Sequence, residues 1–201
     1  MNPRLLKTID ALPRTISSER QAILEPLIKY IQAKKDNQQS IKLNFICTHN
    51  SRRSHLAQIW AQTMAFYFKI PKTECYSGGT ETTALFPKII TTLEDQGFTV
   101  TLLKEGSNPT YAIQYDDKEP AIVGFSKVFD DAFNPATEFA AIMTCSSADE
   151  GCPFVGGAEL RLPIRYEDPK KFDSTKLMTE KYTERSLEIA AEMYFVFSKI
   201  Q

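Results

Sequence analysis

Ile41-Lys42-Leu43-Asn44-Phe45-Ile46-Cys47-Thr48-His49-Asn50-Ser51-Arg52-Arg53-Ser54 is the stretch on which the reading of the chain turns. Residues 41–46 alternate and then become apolar, as a strand entering a core does, and the run stops at Cys47. From Arg53 to about Phe68 the apolar residues Leu56, Ile59, Trp60, Met64 and Phe68 recur at helical spacing. Cys47 to Ser54 is therefore a strand-to-helix turn. Such a turn points several unpaired backbone N–H groups into one concavity, and the dipole of the following helix adds positive potential, so a tetrahedral oxyanion can dock there. Thr48, His49, Asn50, Ser51, Arg52, Arg53 and Ser54 are the expected oxyanion-binding residues. Cys47 sits at the foot of the cup, where the amides, the Ser54 hydroxyl and the Arg53 charge favour a nucleophilic thiolate. Arg53 follows six residues later and can return over the loop, holding two anion oxygens through a planar fork that lysine lacks. Asn50 and Ser51 are expected to brace the loop through side-chain to backbone bonds. His49 is expected at the solvent rim and is given no role as a base. A buried thiol beside solvated arginines would satisfy the Cys-to-Arg spacing alone; the preceding strand, the following helix and the Asn-Ser-x-Arg-Ser content argue for the cup.

Outward from this turn the chain reads as an alternation of strands and helices. Upstream, residues 1–40 look like a helical extension: Ser18 and Gln21 form a plausible capping box before the stripe Ile23, Leu24, Leu27, Ile28 and Ile31, Pro26 threatens a kink, and Lys34 to Ser40 reads as a linker. Downstream, Glu74 to Ser77 is a strand closed by Gly78-Gly79, Phe86 to Gly97 a helix stopped by glycine, and Phe98 to Leu103 another strand. Residues 104–125 read as an insertion carrying a hairpin, Tyr111 to Tyr115 against Ala121 to Phe125. Glu138 to Cys145 and Leu160 to Ile164 are further strands, and Tyr182, Ile189, Met193, Val196 and Ile200 line a closing helix. The order predicts an α/β fold with a central, mainly parallel four-stranded sheet flanked by helices, residues 41–201 forming the catalytic domain, and the site at the carboxyl ends of the strands.

Composition narrows the function classes. The chain has 201 residues, 42% hydrophobic and 24% charged, which suits one globular core. Lys and Arg number 24 against 25 Asp and Glu, so no global field recruits nucleic acid or an acidic membrane, and an anion site must be local. No early stretch has signal-peptide character, and none approaches the ~18 apolar residues of a membrane span, so a cytoplasmic protein is expected. Four cysteines in that setting argue for reduced, chemically used thiols rather than a disulfide framework. No cofactor or metal is expected.

Phe45 to Ser54 resembles the phosphate loop of low-molecular-weight protein tyrosine phosphatases and of the thioredoxin-coupled arsenate reductases built on that fold. Similarity continues through Tyr76-Ser77-Gly78-Gly79-Thr80-Glu81 and returns at Tyr166-Glu167-Asp168-Pro169, covering most of residues 41–200. The resemblance implies that Asp168 is the general acid, although Asp-Pro alone is a common turn. Met143-Thr144-Cys145-Ser146-Ser147-Ala148-Asp149-Glu150-Gly151-Cys152-Pro153 resembles the redox relay of the reductases, a cysteine pair that ordinary phosphatases of this fold lack. The spacing of this pair does not suit zinc. The resemblance implies that arsenate or phosphate is the oxyanion substrate, that Cys145 and Cys152 carry a disulfide relay from Cys47, and that thioredoxin or a similar dithiol is the reductant. Gly151 and residues 146–149 are expected to supply mobility.

The chain also departs from the pattern. Arg52 stands where relatives commonly carry a second cysteine, which makes the cup more positive. Some reductases of the family hold a potassium ion with the loop asparagine and acidic partners; Gln58 and Lys127 stand in place of those acids, so a lysine ammonium is expected in the ion's position. Lys170-Lys171-Phe172 after Pro169 makes a weak aromatic wall for a phosphotyrosine ring. Cys75 is expected to be buried and inert. Three readings stay open at this point: an arsenate reductase, a protein tyrosine phosphatase whose extra cysteines protect against oxidation, and a non-catalytic oxyanion or redox sensor, which would have no need of Asp168.

Overall fold

Two strands with uninterrupted apolar character occupy the middle of the sheet. β1 (Ile41–Cys47) and β6 (Phe139–Met143) are buried almost throughout, as parallel strands covered on both faces must be. β2 (Thr73–Gly79) pairs with the outer side of β1 and β7 (Ala158–Pro163) with β6, giving a four-stranded, all-parallel sheet of order β2-β1-β6-β7. The structure, a computed structural model, describes residues 1–152 and 154–201; Pro153, the last letter of the relay motif, lies outside the described residues.

Period-two alternation splits the core across the sheet. Ile41, Leu43 and Phe45 of β1 with Ala140 and Ile142 of β6 face a large cluster, and Ile46 with Phe139, Ala141 and Met143 face a small one. Helices α3 (Arg53–Tyr67), α4 (Pro87–Asp95) and α6 (Met178–Ser198) cover the large side, where Trp60, Ile89, Leu93, Tyr182 and Met193 are fully buried. The other face is covered by the six-residue helix α5 (Ser146–Gly151) with Phe129 and Val155. Helices do flank the sheet, but unequally.

Residues 1–40 pack into this same core. They form α1 (Pro3–Asp10) and α2 (Ser18–Asp36), whose Leu5, Ile9, Leu24, Leu27 and Ile31 are fully buried in the large cluster. The cap of α2 is Ser17, whose side chain accepts the Arg20 N–H, while Gln21 Nε2 donates to Ile16 O; the expected Ser18 box is off by one residue because adjacent serines offer two equivalent caps. The helix runs through Pro26 and includes Lys34 to Asp36, so the polar linker begins later than expected. Lys34 is buried and pairs with Glu159 of β7 at 2.7 Å, a partner the sequence does not reveal.

The strand at 98–103 also finds a different neighbour. β3 (Thr99–Lys104) does not join the parallel sheet but extends the predicted hairpin, β4 (Thr110–Gln114) and β5 (Ile122–Gly124), into a separate antiparallel sheet of order β3-β4-β5. Its apolar residues Leu102 and Leu103 are exposed, Leu103 at 57%. No described helix is long and apolar enough to cross a membrane.

Gly97 marks where the N-terminal helices dock. It closes α4 with φ +101°, and a Cβ there would lie 2.4 Å from Leu5 N and 2.7 Å from Arg4 C. Gly97→Ala is expected to destabilise the protein by about 2 kcal/mol or more, combining positive-φ strain with a backbone clash against α1. The midpoint of urea unfolding measures it, and an unchanged midpoint would mean that α1 does not rest on this turn.

Candidate active site

Strand register brings the predicted residues to one end of the sheet. Cys47 ends β1 opposite Gly79, and Ile46 lies opposite Met143, so Thr144 and Cys145 emerge beside the loop. Thr144 N and Oγ1 both bond to Ile46 O, at 2.7 and 2.9 Å, and Tyr166 N donates to Thr144 O at 3.1 Å. Cys47, Cys145 and Tyr166-Asp168 thereby converge from three strand ends.

The loop is held by a directed chain of hydrogen bonds. Lys127 N donates to Asn50 Oδ1 at 2.9 Å, which fixes the amide so that Asn50 Nδ2 donates to Ser54 Oγ at 2.9 Å. Having accepted that bond, the Ser54 hydroxyl has its proton for Cys47 Sγ, 3.1 Å away. Asn50 adopts φ +43°, a left-handed conformation that asparagine tolerates. His55, in the first turn of α3 and fully buried, bonds to Asn50 O at 3.0 Å. A carbonyl only accepts, so Nε2 carries the proton and bare Nδ1 faces Ser77 Oγ at 3.3 Å. Burial and the nearby Lys127 ammonium push the His55 imidazolium down to about 3, so the ring is neutral in the working range. Ser51 contributes through its carbonyl, which accepts Phe86 N–H at 3.0 Å. Thr80 N and Glu81 N donate to Cys47 O and Thr48 O at 3.1 and 2.8 Å, tying the loop to the end of β2. Gly79 permits this approach, since a Cβ would lie 2.7 Å from Thr48 O and 2.8 Å from Asn50 N.

The two arginines of the loop separate. Arg53 returns as expected: Nη2 donates to Asp168 Oδ2 at 2.6 Å and Nη1 to Tyr166 O at 3.1 Å. Asp168 also caps the 3-10 turn Pro169–Phe172 by accepting Lys170 N–H at 3.0 Å. Arg52, expected to make the cup more positive, instead points into the fold. Its Nε donates to Tyr182 OH at 2.6 Å, its Nη2 to Asp173 Oδ2 at 2.6 Å, and its guanidinium lies 4.0 Å from the Phe86 ring centre, so Asp173 neutralises its charge. His49 stands half-exposed at the rim, 3.6 Å from Glu81, while its carbonyl accepts from Ser126 Oγ at 3.0 Å.

Lys127, expected to stand in place of a potassium ion, is buried behind the loop. It is 1% exposed, its ammonium lies between the Phe125 and Phe133 rings at 4.5 and 5.2 Å, and burial pulls it down to about 8. The residues expected at a potassium position do not fit that ion. Gln58 Oε1 is buried without a partner, but Asn50 Oδ1 is taken, no carboxylate is present in that set, and a second cation near this ammonium would be repelled. Among the described residues no His, Cys, Asp or Glu cluster is arranged to hold a metal.

The relay segment is helical rather than loose. Cys145 is the N-cap of α5 and Cys152 its C-cap, and both belong with Cys47 to the small core cluster. Cys145 Sγ lies 3.4 Å from Thr48 Oγ1 and accepts Ala148 N–H at 3.4 Å. Asp149 is clamped by Arg161 at 2.7 Å and by Arg165, and Arg161 Nε holds Cys152 O at 3.1 Å. Cys75 is buried in the large cluster, where burial raises its thiol far above the usual range.

The residues missed from sequence are His55, Ser77, Asp173, Tyr182 and Glu192, all braces rather than reacting groups. His55, eight positions after Cys47, carried a periodic signal as part of a buried helix face, but its polar partners come from β2 and the loop and leave no local pattern.

Neutral burial of His55 has a stability consequence. Between about 6.5 and 3 the unfolded chain binds a proton that the native chain refuses, so native stability falls as pH falls, by about 1.4 kcal/mol per pH unit from this group. Urea titrations at pH 6, 5 and 4 should show a shallower loss in His55→Gln, whose amide keeps a donor for Asn50 O. Equal slopes would show that His55 is not buried neutral.

No protein-family profile and no curated protein sequence matches the chain. Solved structures do. A low-molecular-weight phosphotyrosine phosphatase from Vibrio cholerae O395 superposes with TM-score 0.52 at 16% identity, over 79% of this chain and 95% of that one. A low-molecular-weight protein tyrosine phosphatase from T. tengcongensis does so with TM-score 0.51 at 16% identity, over 80% of this chain and all (100%) of that one. A YwlE mutant from Bacillus subtilis gives 0.50 at 11% identity, over 79% and 97%. This chain therefore has the fold of the low-molecular-weight protein tyrosine phosphatases.

Proposed function

We propose that the protein is an arsenate reductase in which Cys47 is the nucleophile and Cys145 and Cys152 form an intramolecular relay. One observation carries this reading: Cys47, Cys145 and Cys152 share one apolar cluster, with Cys145 Sγ 3.4 Å from the hydroxyl of the loop residue Thr48. Ester hydrolysis needs only the first of these sulfurs.

The reaction follows from the groups present. Arsenate docks on the loop amides and competes with Asp168 for the Arg53 fork, whose charge-assisted bonds suit two anion oxygens. The Cys47 thiolate attacks arsenic while Asp168 gives its proton to the departing oxygen, which leaves as water. The Cys145 thiolate then attacks Cys47 sulfur; the sulfur–arsenic electron pair stays on arsenic, arsenite departs, and a Cys47–Cys145 disulfide forms. Cys152 attacks Cys145 and frees Cys47, leaving a Cys145–Cys152 disulfide for an external dithiol of the thioredoxin kind. Cys152 is the least buried of the three sulfurs and neighbours the exposed Phe154, which supports its role as the outward end.

The last exchange requires α5 to unwind. Cys145 and Cys152 flank the helix seven positions apart, about 10 Å along its axis, whereas a disulfide needs Cα atoms roughly 5.5 Å apart. The Asp149 clamp to Arg161 and Arg165 opposes that opening.

A second reading, a protein tyrosine phosphatase, is favoured by the fold. Against it stands the stretch after Asp168, where Pro169 is followed by Lys170-Lys171-Phe172 and so by a single aromatic side chain to wall a phosphotyrosine ring. Such a wall suits a small oxyanion better than a phosphotyrosine ring.

Turnover of arsenate with a thioredoxin system, measured beside hydrolysis of an aryl phosphate, separates the readings. Cys145→Ser and Cys152→Ser are each expected to reduce arsenate turnover to background and to leave ester hydrolysis within a few-fold of the native rate. Arsenate reduction that persists in either variant would refute the relay.

A further inference from the structure

Residues 1–40 lie in the same core as the sheet, and one side chain among them reaches toward the chemistry. Arg20, in the first turn of α2, holds Glu192 of α6 through both guanidinium arms, Nε to Oε1 at 2.6 Å and Nη2 to Oε2 at 2.7 Å. Glu192 is 3% exposed. Its Oε2 also accepts the Tyr166 hydroxyl at 2.8 Å, and the Arg20 guanidinium lies 5.3 Å from the centre of the Tyr166 ring. Burial and the Glu192 carboxylate hold the Tyr166 phenol protonated and hence a donor. The carbonyl of the same Tyr166 is the acceptor for Arg53 Nη1, and Asp168, two residues on, takes Nη2. From α2 to the Arg53 guanidinium there are three links, each a hydrogen-bonded contact between buried or part-buried groups.

We propose that Arg20 is a positioning residue for Arg53, acting through Glu192 and Tyr166, so that the N-terminal helix sets the grip of the oxyanion cup; this rests on the reading of the Cys47 loop as an oxyanion site. The physical reason is the cost of an unpaired buried carboxylate. Without Arg20, Glu192 faces the neighbouring carboxylate of Glu188, which burial and Glu192 already raise above its usual range, and no other cation is bonded to Glu192 among the described residues. Glu192 would then seek water or a proton, the Tyr166 hydroxyl would lose its acceptor, and the turn carrying Tyr166 O and Asp168 would lose its anchor. Bidentate geometry makes arginine specific here, because lysine offers a point charge without the fork.

The test uses the full chain and inorganic phosphate as the probe, reading its dissociation constant from protection of Cys47 against iodoacetamide. Arg20→Met and Tyr166→Phe are each expected to weaken phosphate binding about tenfold, and the double variant to be no worse than the weaker single, since both break one chain of contacts. Tyr166→Phe keeps the buried ring and removes only the hydroxyl, so it reads the link even if Arg20→Met fails to fold. Arg20→Lys should recover part of the loss. Phosphate binding within twofold of native in Tyr166→Phe, or in a folded Arg20→Met, overturns the proposal while Arg53→Ala still abolishes protection. Protection that survives Arg53→Ala instead overturns the oxyanion-site reading itself.

Discussion

Everything at the site depends on the orientation of one side-chain amide. Lys127 N–H claims the Asn50 carbonyl oxygen, so the amide turns its donor to Ser54, and a hydroxyl that accepts from Asn50 keeps its one proton for Cys47 sulfur. Rotating that amide by half a turn would set two donors against each other at Lys127 and would turn toward Ser54 an acceptor that competes with Cys47 for the hydroxyl proton. The sequence separation is large, 77 positions between Asn50 and Lys127, so the loop conformation is a tertiary product and not a local one. His55 and Ser77 close the same network from the other side, His55 holding the Asn50 carbonyl and Ser77 facing the second ring nitrogen.

Rigidity around Cys47 contrasts with what the proposed relay requires of the other two sulfurs. The cup works when preorganised, because fixed amides stabilise a developing charge without rearranging. Disulfide exchange instead moves sulfurs by several ångströms. The loop is braced by α3 and β2, while α5 is a short helix on the thinly covered face, held by Arg161 and Arg165 on Asp149 and by the packing of Cys145 and Ala148. The arginines of that clamp are partly exposed but Asp149 is buried, so opening α5 in the proposed relay must release and solvate that carboxylate.

Much of this was legible in the sequence wherever periodicity and local pattern carried the signal. The strand at 41–47, the helix at 53–67, the parallel sheet and the placing of Cys47 and Arg53 on one turn follow from alternation and helical spacing, while Asp168 and Cys145 were singled out by the family resemblance. What escaped was set by partners far away in the chain. Thr99 to Lys104 has the composition of a core strand, but its pairing with β4 leaves it exposed. Arg52 and Arg53 are adjacent and chemically identical, and only Asp173 and Tyr182, more than a hundred residues later, draw one of them off the cup. Residues 146–151 carry small and polar residues suited to a loop, yet Cys145 caps them and two arginines clamp them into a helix turn. The first forty residues gave a correct helical stripe without revealing that its apolar face is part of the central core.

The most direct measurement is a crystal structure of the protein with phosphate bound. The account predicts phosphorus in line with Cys47 Sγ, oxygens ringed by main-chain N–H groups of residues 48–53, and the Arg53 fork on two of them. Phosphate bound elsewhere while the loop stays vacant, or Cys47 sulfur turned away from the ring of amides, would contradict it.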